Sequence, residues 1–456
     1  MEISITKNKK ITQGILVPLF LFAVVQLIYH ILMKEPASSD ASWFFRNQLD
    51  VYSLKDYLYM RYETWSSRLL IEAVLVWISR HMLLWRIFDW GFWMLLFWSC
   101  VTLFPEQMQK KAANIFLVAL LIYPLYDLGT AGWVATSVNY TWPVALGILS
   151  LHGTAAVCRK ETVTWWQWLI YVPSALFGAN MEQMCAVLLA VNGCAVLWLL
   201  LNRYPYQSLV FPGVGIVIAA AEFLFIMTCP GNAARKTQEI INWMPNFSGY
   251  NLIDKISLAF TDTMHHLVAS ENSMFLCYAI LLAVLAWLKT EDVPARAAAV
   301  FPAAVNLLLV GMAGTLKTYY PSFWKLMKKS AWINAKNYYQ MQQYLPTILY
   351  LLVIGGMIVA VVCICESRQE LAAQMILLAL ALATRLVMGF TPTIYVSQER
   401  TFFFLYVLLA ISAAGFILAN EKLFAQHKKV AGAAKTGAVV LSVLQIFVIL
   451  SNFTLT

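Results

Sequence analysis

The residues in this chain with the most chemical capacity sit in short clusters between long apolar stretches. They read S-S-D-A-S-W-F at 38–44, T-W-S-S-R at 64–68, G-W at 132–133, S-V-N-Y-T-W-P at 137–143, N-M-E-Q at 180–183, P-G-N-A-A-R-K at 230–236 and Q-E-R-T at 398–401. Guanidinium and ammonium groups such as Arg68, Arg235, Lys236 and Arg400 match phosphate oxygens. The faces of Trp65, Trp133, Tyr140 and Trp142 would stack on the C–H surface of a sugar, and the amides of Asn139 and Asn180 would bond its hydroxyls. A carboxylate such as Asp40 or Glu182 can take the proton from an attacking hydroxyl, with Glu63 and Asp56 as further acids. Carboxylates, cations, amides and tryptophans in one set of loops are what a sugar phosphate requires of a protein.

The elements that must carry these clusters are membrane helices. The chain of 456 residues is 61% hydrophobic and 12% charged, whereas a soluble domain is usually nearer half apolar and a quarter charged. Several uninterrupted apolar runs reach the roughly 20 residues that cross a bilayer, and they do not alternate as barrel strands do. The expected fold is therefore an all-α polytopic integral membrane protein in a single transmembrane domain, residues 1–456, with about thirteen spans. The net charge of +9 sits mostly between spans, as in cytoplasmic loops, and with no soluble fold to carry a basic stripe nucleic-acid binding is excluded. The eight Cys contain no C-x-x-C and read as packing residues. The His spacing forms no metal motif, and the adjacent His265 and His266 would point apart on a helix.

Lys7, Lys9 and Lys10 before the first apolar run place the N-terminus in the cytoplasm, with a signal anchor and no cleavage site. A first outer loop, 34–85, follows, in which Leu69 to Ile78 reads as a surface helix and Trp85 to Phe104 as the second span. Further outer loops are expected at 229–272 and 317–343. The second of these carries Lys317, Lys325, Lys328, Lys329 and Lys336, against the charge rule, so these lysines should face something anionic, a lipid headgroup or a lipid phosphate. In this topology every cluster in the opening list faces outward. Glu222 and Arg385 would lie inside spans near their outer ends, and Glu72 and Asp89 at the interface.

An acid after the first span, a surface helix beginning near an Arg and about thirteen spans resemble the GT-C class of membrane glycosyltransferases. The quoted strings also resemble a bacterial multi-pass family with W-x-G-R, G-S-x-N-Y-x-W-P, E-Q and P-G-N-x-x-R motifs, in the same order over most of the chain. The resemblance implies an inverting enzyme of the bacterial plasma membrane. It would take a sugar from a polyprenyl-phosphate donor and pass it to a cell-envelope glycan or a lipid-linked acceptor. Asp40 would be the base, Arg68 would hold phosphate or orient Asp40, and Glu182 would face the outer cavity. Arg235, Lys236 and Arg400 would receive the leaving phosphate. A divalent cation, Mg or Mn, is compatible with the class, although no ligand cluster demands one. Two positions depart from the pattern: Ser39 precedes Asp40 where the family has a second acid, and Ser67 replaces the Gly before Arg68. Polysaccharide polymerase or ligase chemistry, and a flippase or transporter, are the alternative functions. Plainer readings stand beside each residue: a solvated loop acid for Asp40, a snorkelling Arg68, a structural bridge for Glu182, a turn at Pro230, an interfacial anchor for Arg400 and an interfacial aromatic belt.

Overall fold

The computed structural model describes the backbone of residues 2–455 and the side chains of 14–453, and all of its regular elements among these residues are helical. The side chains of Lys7, Lys9 and Lys10 lie outside the described residues. Nine of the described helices are long and apolar enough to cross a membrane, or up to eleven if each of two bent pairs counts as one span. This is a multi-pass membrane protein. A helix suits lipid because it satisfies every interior backbone N–H and C=O within its own segment.

Two of the thirteen expected spans fall outside this set, for different reasons. Trp165–Ala179 has 15 residues, about 22 Å at 1.5 Å per residue, short of a hydrocarbon core of about 30 Å. Met82–Thr102 has 21 residues but carries Arg86 and Asp89. Both side chains find partners inside the protein: Arg86 Nη2 donates to the Met33 carbonyl at 2.7 Å, and Asp89 accepts from Trp142 Nε1 and contacts His30 Nε2, each at 2.8 Å. Asp89 and Glu72, expected at the interface, are both buried in protein.

By its packing the chain falls into two compact units. The first comprises Met1–Gln238, Ser397–Phe404 and Ala438–Thr456. Its core is aromatic. Phe22 of the first helix, Glu2–Leu32, stacks on Phe97 at 5.4 Å, and Phe403 sets its edge against Trp93 and Tyr123 at 5.7 and 5.3 Å. Leu69–Ile78 is a separate helix of 10 residues, too short to span.

The second unit comprises Glu239–Val396 and Leu405–Gly437. Leu252–Met264 starts with a reciprocal cap, Asn251 Oδ1 accepting from Asp254 N at 2.9 Å and Asp254 Oδ2 from Asn251 N at 3.1 Å. It ends in a π-helical turn, His265–Ala269, and the chain bends by 77° into Ser273–Lys289. Such a turn displaces backbone carbonyls from the regular ladder. Asn306 Nδ2 donates to two of them, Leu267 O at 3.2 Å and Val268 O at 3.0 Å. Arg385, fully buried, pairs with the buried Asp262.

Candidate functional site

The site begins with the helix Leu54–Thr64, whose cap Ser53 accepts from Asp56 N at 3.2 Å. Tyr57 and Arg61, four residues apart, share its buried face, and both reach Glu72. Arg61 forks onto the carboxylate at 2.7 and 3.0 Å, and Tyr57 donates its hydroxyl at 2.6 Å. The Arg61 guanidinium also lies over the rings of Phe44 and Trp65, at 4.9 and 5.4 Å. This bidentate pair fixes the segment 65–68 against the Leu69–Ile78 helix.

Arg68 stands at the cap of that helix and makes no side-chain cap; the helix's amide donors are met from elsewhere. Asn180 Oδ1 accepts from Leu70 N at 3.1 Å and Ile71 N at 3.2 Å, and the Asn180 amide also hydrogen-bonds Glu222. Arg68 therefore has its donors to spend on Glu182, with Nε at 2.9 and 3.1 Å and Nη2 at 2.7 Å from the carboxylate oxygens, while Nη1 donates to Asn139 Oδ1 at 2.9 Å. Burial opposes the charge on Arg68, but Glu182 more than offsets it, and the guanidinium is held above its ordinary value. The pair is not fully covered by protein: the Arg68 side chain is 17% exposed and that of Glu182 32%.

The P-G-N-A-A-R string packs onto the same place. Gly231 lies so close to the 61–65 backbone that a Cβ would sit 2.5 Å from both Tyr62 O and Trp65 N. Asn232 Oδ1 accepts from Ser67 N at 3.3 Å, and its Nδ2 donates to Ser67 Oγ at 3.0 Å. Arg235 lies over the Trp65 ring at 5.5 Å and within electrostatic reach of Glu182. Gln183 Nε2 donates to Thr401 O at 3.3 Å, and the neighbouring Arg400 reaches Thr130 Oγ1 at 3.5 Å. Thr130 leads into Gly132, whose φ of 95° is left-handed and whose missing Cβ leaves room for Ser39 and Glu35. Glu35 Oε2 accepts from Trp133 N and Val134 N at 2.8 and 3.1 Å, opening the helix Trp133–Asn139. That helix ends at Asn139, on Arg68. The contacts close into a ring: Arg68 to Glu182, Gln183 to Thr401, Arg400 to Thr130, Gly132 to Glu35 and Ser39, and Asn139 back to Arg68.

The structure brings Arg68, Glu182, Asn139, Asn180, Trp65 and Arg235 into one cluster, with Tyr140 within electrostatic reach of Arg68. Lys236 is exposed one residue beyond Arg235. Asp40 lies exposed at the first position of the one-turn helix Asp40–Trp43, whose cap Ser39 accepts from Ser42 N at 3.2 Å. Ser39 and the seven-residue Trp133–Asn139 helix, about 10 Å long, link Asp40 to Arg68. The expected stacking platforms meet protein. Trp142 is 5% exposed, stacked on Phe92 at 4.2 Å with its N–H on Asp89. Trp133 is held edge-on by Phe453 at 5.4 Å and Tyr126 at 6.0 Å, and Tyr140 by Phe404 at 6.1 Å. Trp65 has guanidinium groups over its ring.

Sequence reasoning missed Glu35 and Asp127. Glu35 precedes Pro36, directly after the first span, and is the acid nearest that span's end. Its burial raises its pKa, and the Ser39 hydroxyl, the Val134 and Trp133 amides and Arg46 pull it back. Asp127 and Glu399 lie close enough to repel each other beside Arg400. Among the described residues no group of three or more His, Cys, Asp or Glu side chains gathers as a metal site would require. Compared with family models, curated proteins and solved structures, the chain matches none.

Proposed function

We propose that this chain is a membrane glycosyltransferase of the GT-C type. It has thirteen spans, its N-terminus lies in the cytoplasm, and its ring of loops sits at the outer face of a bacterial plasma membrane. It moves a sugar from a polyprenyl-phosphate donor to a cell-envelope glycan or a lipid-linked acceptor. One observation carries the reading: five strings remote in sequence, containing Arg68, Asn139, Glu182, Asn232 and Arg400, meet in one partly exposed ring. A purely structural bridge needs two of them.

In this reading the acceptor hydroxyl oxygen attacks the anomeric carbon and its proton passes to Asp40. The bond from that carbon to the phosphate oxygen breaks, and the polyprenyl phosphate leaves with the electron pair. One in-line displacement inverts the centre. Arg235, Lys236 and Arg400 supply positive charge where the leaving phosphate gains negative charge, commonly the largest electrostatic contribution to such a step. Glu182 and Asn139 hold the Arg68 fork in one orientation, and Asn180 fixes the helix that presents it. Glu35 holds the Trp133–Asn139 helix against the Asp40 loop.

The test is sugar transfer from defined polyprenyl-phosphate sugars by the purified chain in nanodiscs. Asp40→Asn should lower turnover by at least about 100-fold, within the range for a lost general base, with substrate affinity little changed. Arg400→Ala should raise the donor KM as well. Wild-type turnover by Asp40→Asn would remove the base role. Absence of transfer with every polyprenyl-phosphate sugar tried, alongside measurable binding of none of them, would overturn the reading.

A further inference from the structure

We propose that the segment 313–343 in the second unit is a docking surface for the anionic phospholipid headgroups of the bilayer that holds the protein. The inference does not depend on the transferase reading. The segment carries Lys317, Lys325, Lys328, Lys329 and Lys336 and no Asp or Glu, and all five lysines are exposed. Interleaved with them, Tyr319, Tyr320, Tyr338 and Tyr339 are 61–75% exposed. The helix Val293–Gly311 ends just before the segment and Met341–Ile364 begins at its close, both long and apolar enough to cross a membrane. Both ends of the segment are thereby held at the membrane surface.

The segment is also tied down from beneath, so the charges cannot simply disperse. Trp332 is buried with Leu258, Ala259 and Ile394. Asp254 Oδ1 accepts from Ala335 N at 2.9 Å, and Asn337 Oδ1 from Asn334 N at 2.8 Å. Tyr395 donates to Lys329 O at 3.3 Å, and the Lys329 ammonium lies 5.6 Å from the Tyr395 ring centre. Five cations are anchored in the strip, and the one carboxylate that the contacts above place against it, Asp254, is buried beneath, so their outward side favours external anions. Exposed tyrosines favour the headgroup level, and lysines reach from there to phosphate. A neutral glycan would offer the ring faces something but the ammonium groups nothing.

The experiment is native mass spectrometry of the detergent-purified full chain, titrated with phosphatidylglycerol and with phosphatidylcholine. The wild type should prefer phosphatidylglycerol by at least about tenfold near 0.05 M salt, and the preference should shrink several-fold near 0.5 M as the Debye length contracts. Replacing all five lysines by Gln should reduce the preference to under about twofold, while Lys428→Gln, Lys429→Gln and Lys435→Gln together, also at exposed positions, should leave it in place. If the fivefold variant does not fold, Lys325→Gln and Lys336→Gln singly should each lower it about twofold. A preference that survives the fivefold change, ignores salt, or falls as much in the threefold control overturns the proposal. So does tighter binding of soluble polyphosphate than of phosphatidylglycerol at this segment.

Discussion

Arg68 and Glu182 are 114 residues apart and meet through three contacts of 2.7–3.1 Å. A double-mutant cycle on them tests the ring directly. Exposed ion pairs couple by about 0.2–1 kcal/mol, and breaking a fully buried pair costs about 3–5 kcal/mol. With side-chain exposures of 17% and 32% this pair falls between those limits, so its coupling should be about 2 kcal/mol, roughly 30-fold in an equilibrium constant. Glu182→Ala should cost about that much. Arg68→Ala should cost about 1 kcal/mol more, because Asn139 Oδ1 also loses its donor. The double variant should cost about as much as Arg68→Ala alone, since the second truncation removes a partner already lost. Reversible unfolding in mixed detergent and SDS micelles gives all three values. A coupling below about 0.5 kcal/mol would mean that the two side chains do not share this geometry, and the site built on them would fall with it. Arg68→Lys then separates fold from function. It keeps the charge and loses the fork, so stability should drop by about 1 kcal/mol while transfer drops by at least about tenfold.

Three further outcomes follow from the same packing. Glu72→Ala leaves the Arg61 guanidinium and the Tyr57 hydroxyl buried without their acceptor, and should destabilise by about 3–5 kcal/mol in the same unfolding assay; a loss under about 1 kcal/mol would contradict the burial of the pair. Gly231→Ala drives a Cβ into the 61–65 backbone, so it should cost about 1–3 kcal/mol and expose the Trp65–Arg68 segment to limited proteolysis, with an unchanged digestion pattern counting against the contact. Glu35 has its folded pKa raised above 4.5, so its stabilising contribution is full below that value and is lost as pH rises through the folded pKa. Melting temperature should therefore rise as pH falls from neutral toward 4.5, and Glu35→Gln, which keeps an acceptor for the Trp133 and Val134 amides, should flatten that slope; parallel curves would refute the assignment.

The all-helical membrane fold was legible because hydropathy over about 20 residues is a property of composition alone. Met82–Thr102 shows the limit. Its Arg86 and Asp89 lower the mean hydropathy of a helix whose charged groups are hydrogen-bonded to Met33 O, His30 and Trp142, partners that no local window contains. The polar clusters were legible as residue types between apolar runs, whereas which of them meet is set by contacts across long stretches of chain, such as Arg68 on Glu182. The choice of acid was harder to read. Asp40 and Glu35 both follow the first span, and what separates them is a backbone event elsewhere: the left-handed Gly132 aims the Trp133 and Val134 amides at Glu35. The aromatics misled for a related reason. Trp142 sits in a string that suggests sugar binding, yet its indole N–H serves the buried Asp89, and a one-dimensional pattern does not say which face of a ring is already covered.

Exposure separates Arg68–Glu182 from the two Arg–carboxylate pairs that only brace the fold. Arg61–Glu72 and Arg385–Asp262 are both buried. A pair enclosed by protein is closed to a ligand, and its worth lies in holding one conformation where the alternatives would bury a lone charge. Arg68–Glu182 is multidentate like Arg61–Glu72 but only partly covered by protein, with Arg235 close by and Asn139 and Asn180 fixing its surroundings. An incoming phosphate or hydroxyl could compete for those donors and acceptors against a coupling of about 2 kcal/mol. The two closed pairs would first have to open, so Arg68–Glu182, rather than either of them, is the place where a conservative substitution such as Arg68→Lys should change activity by more than it changes stability.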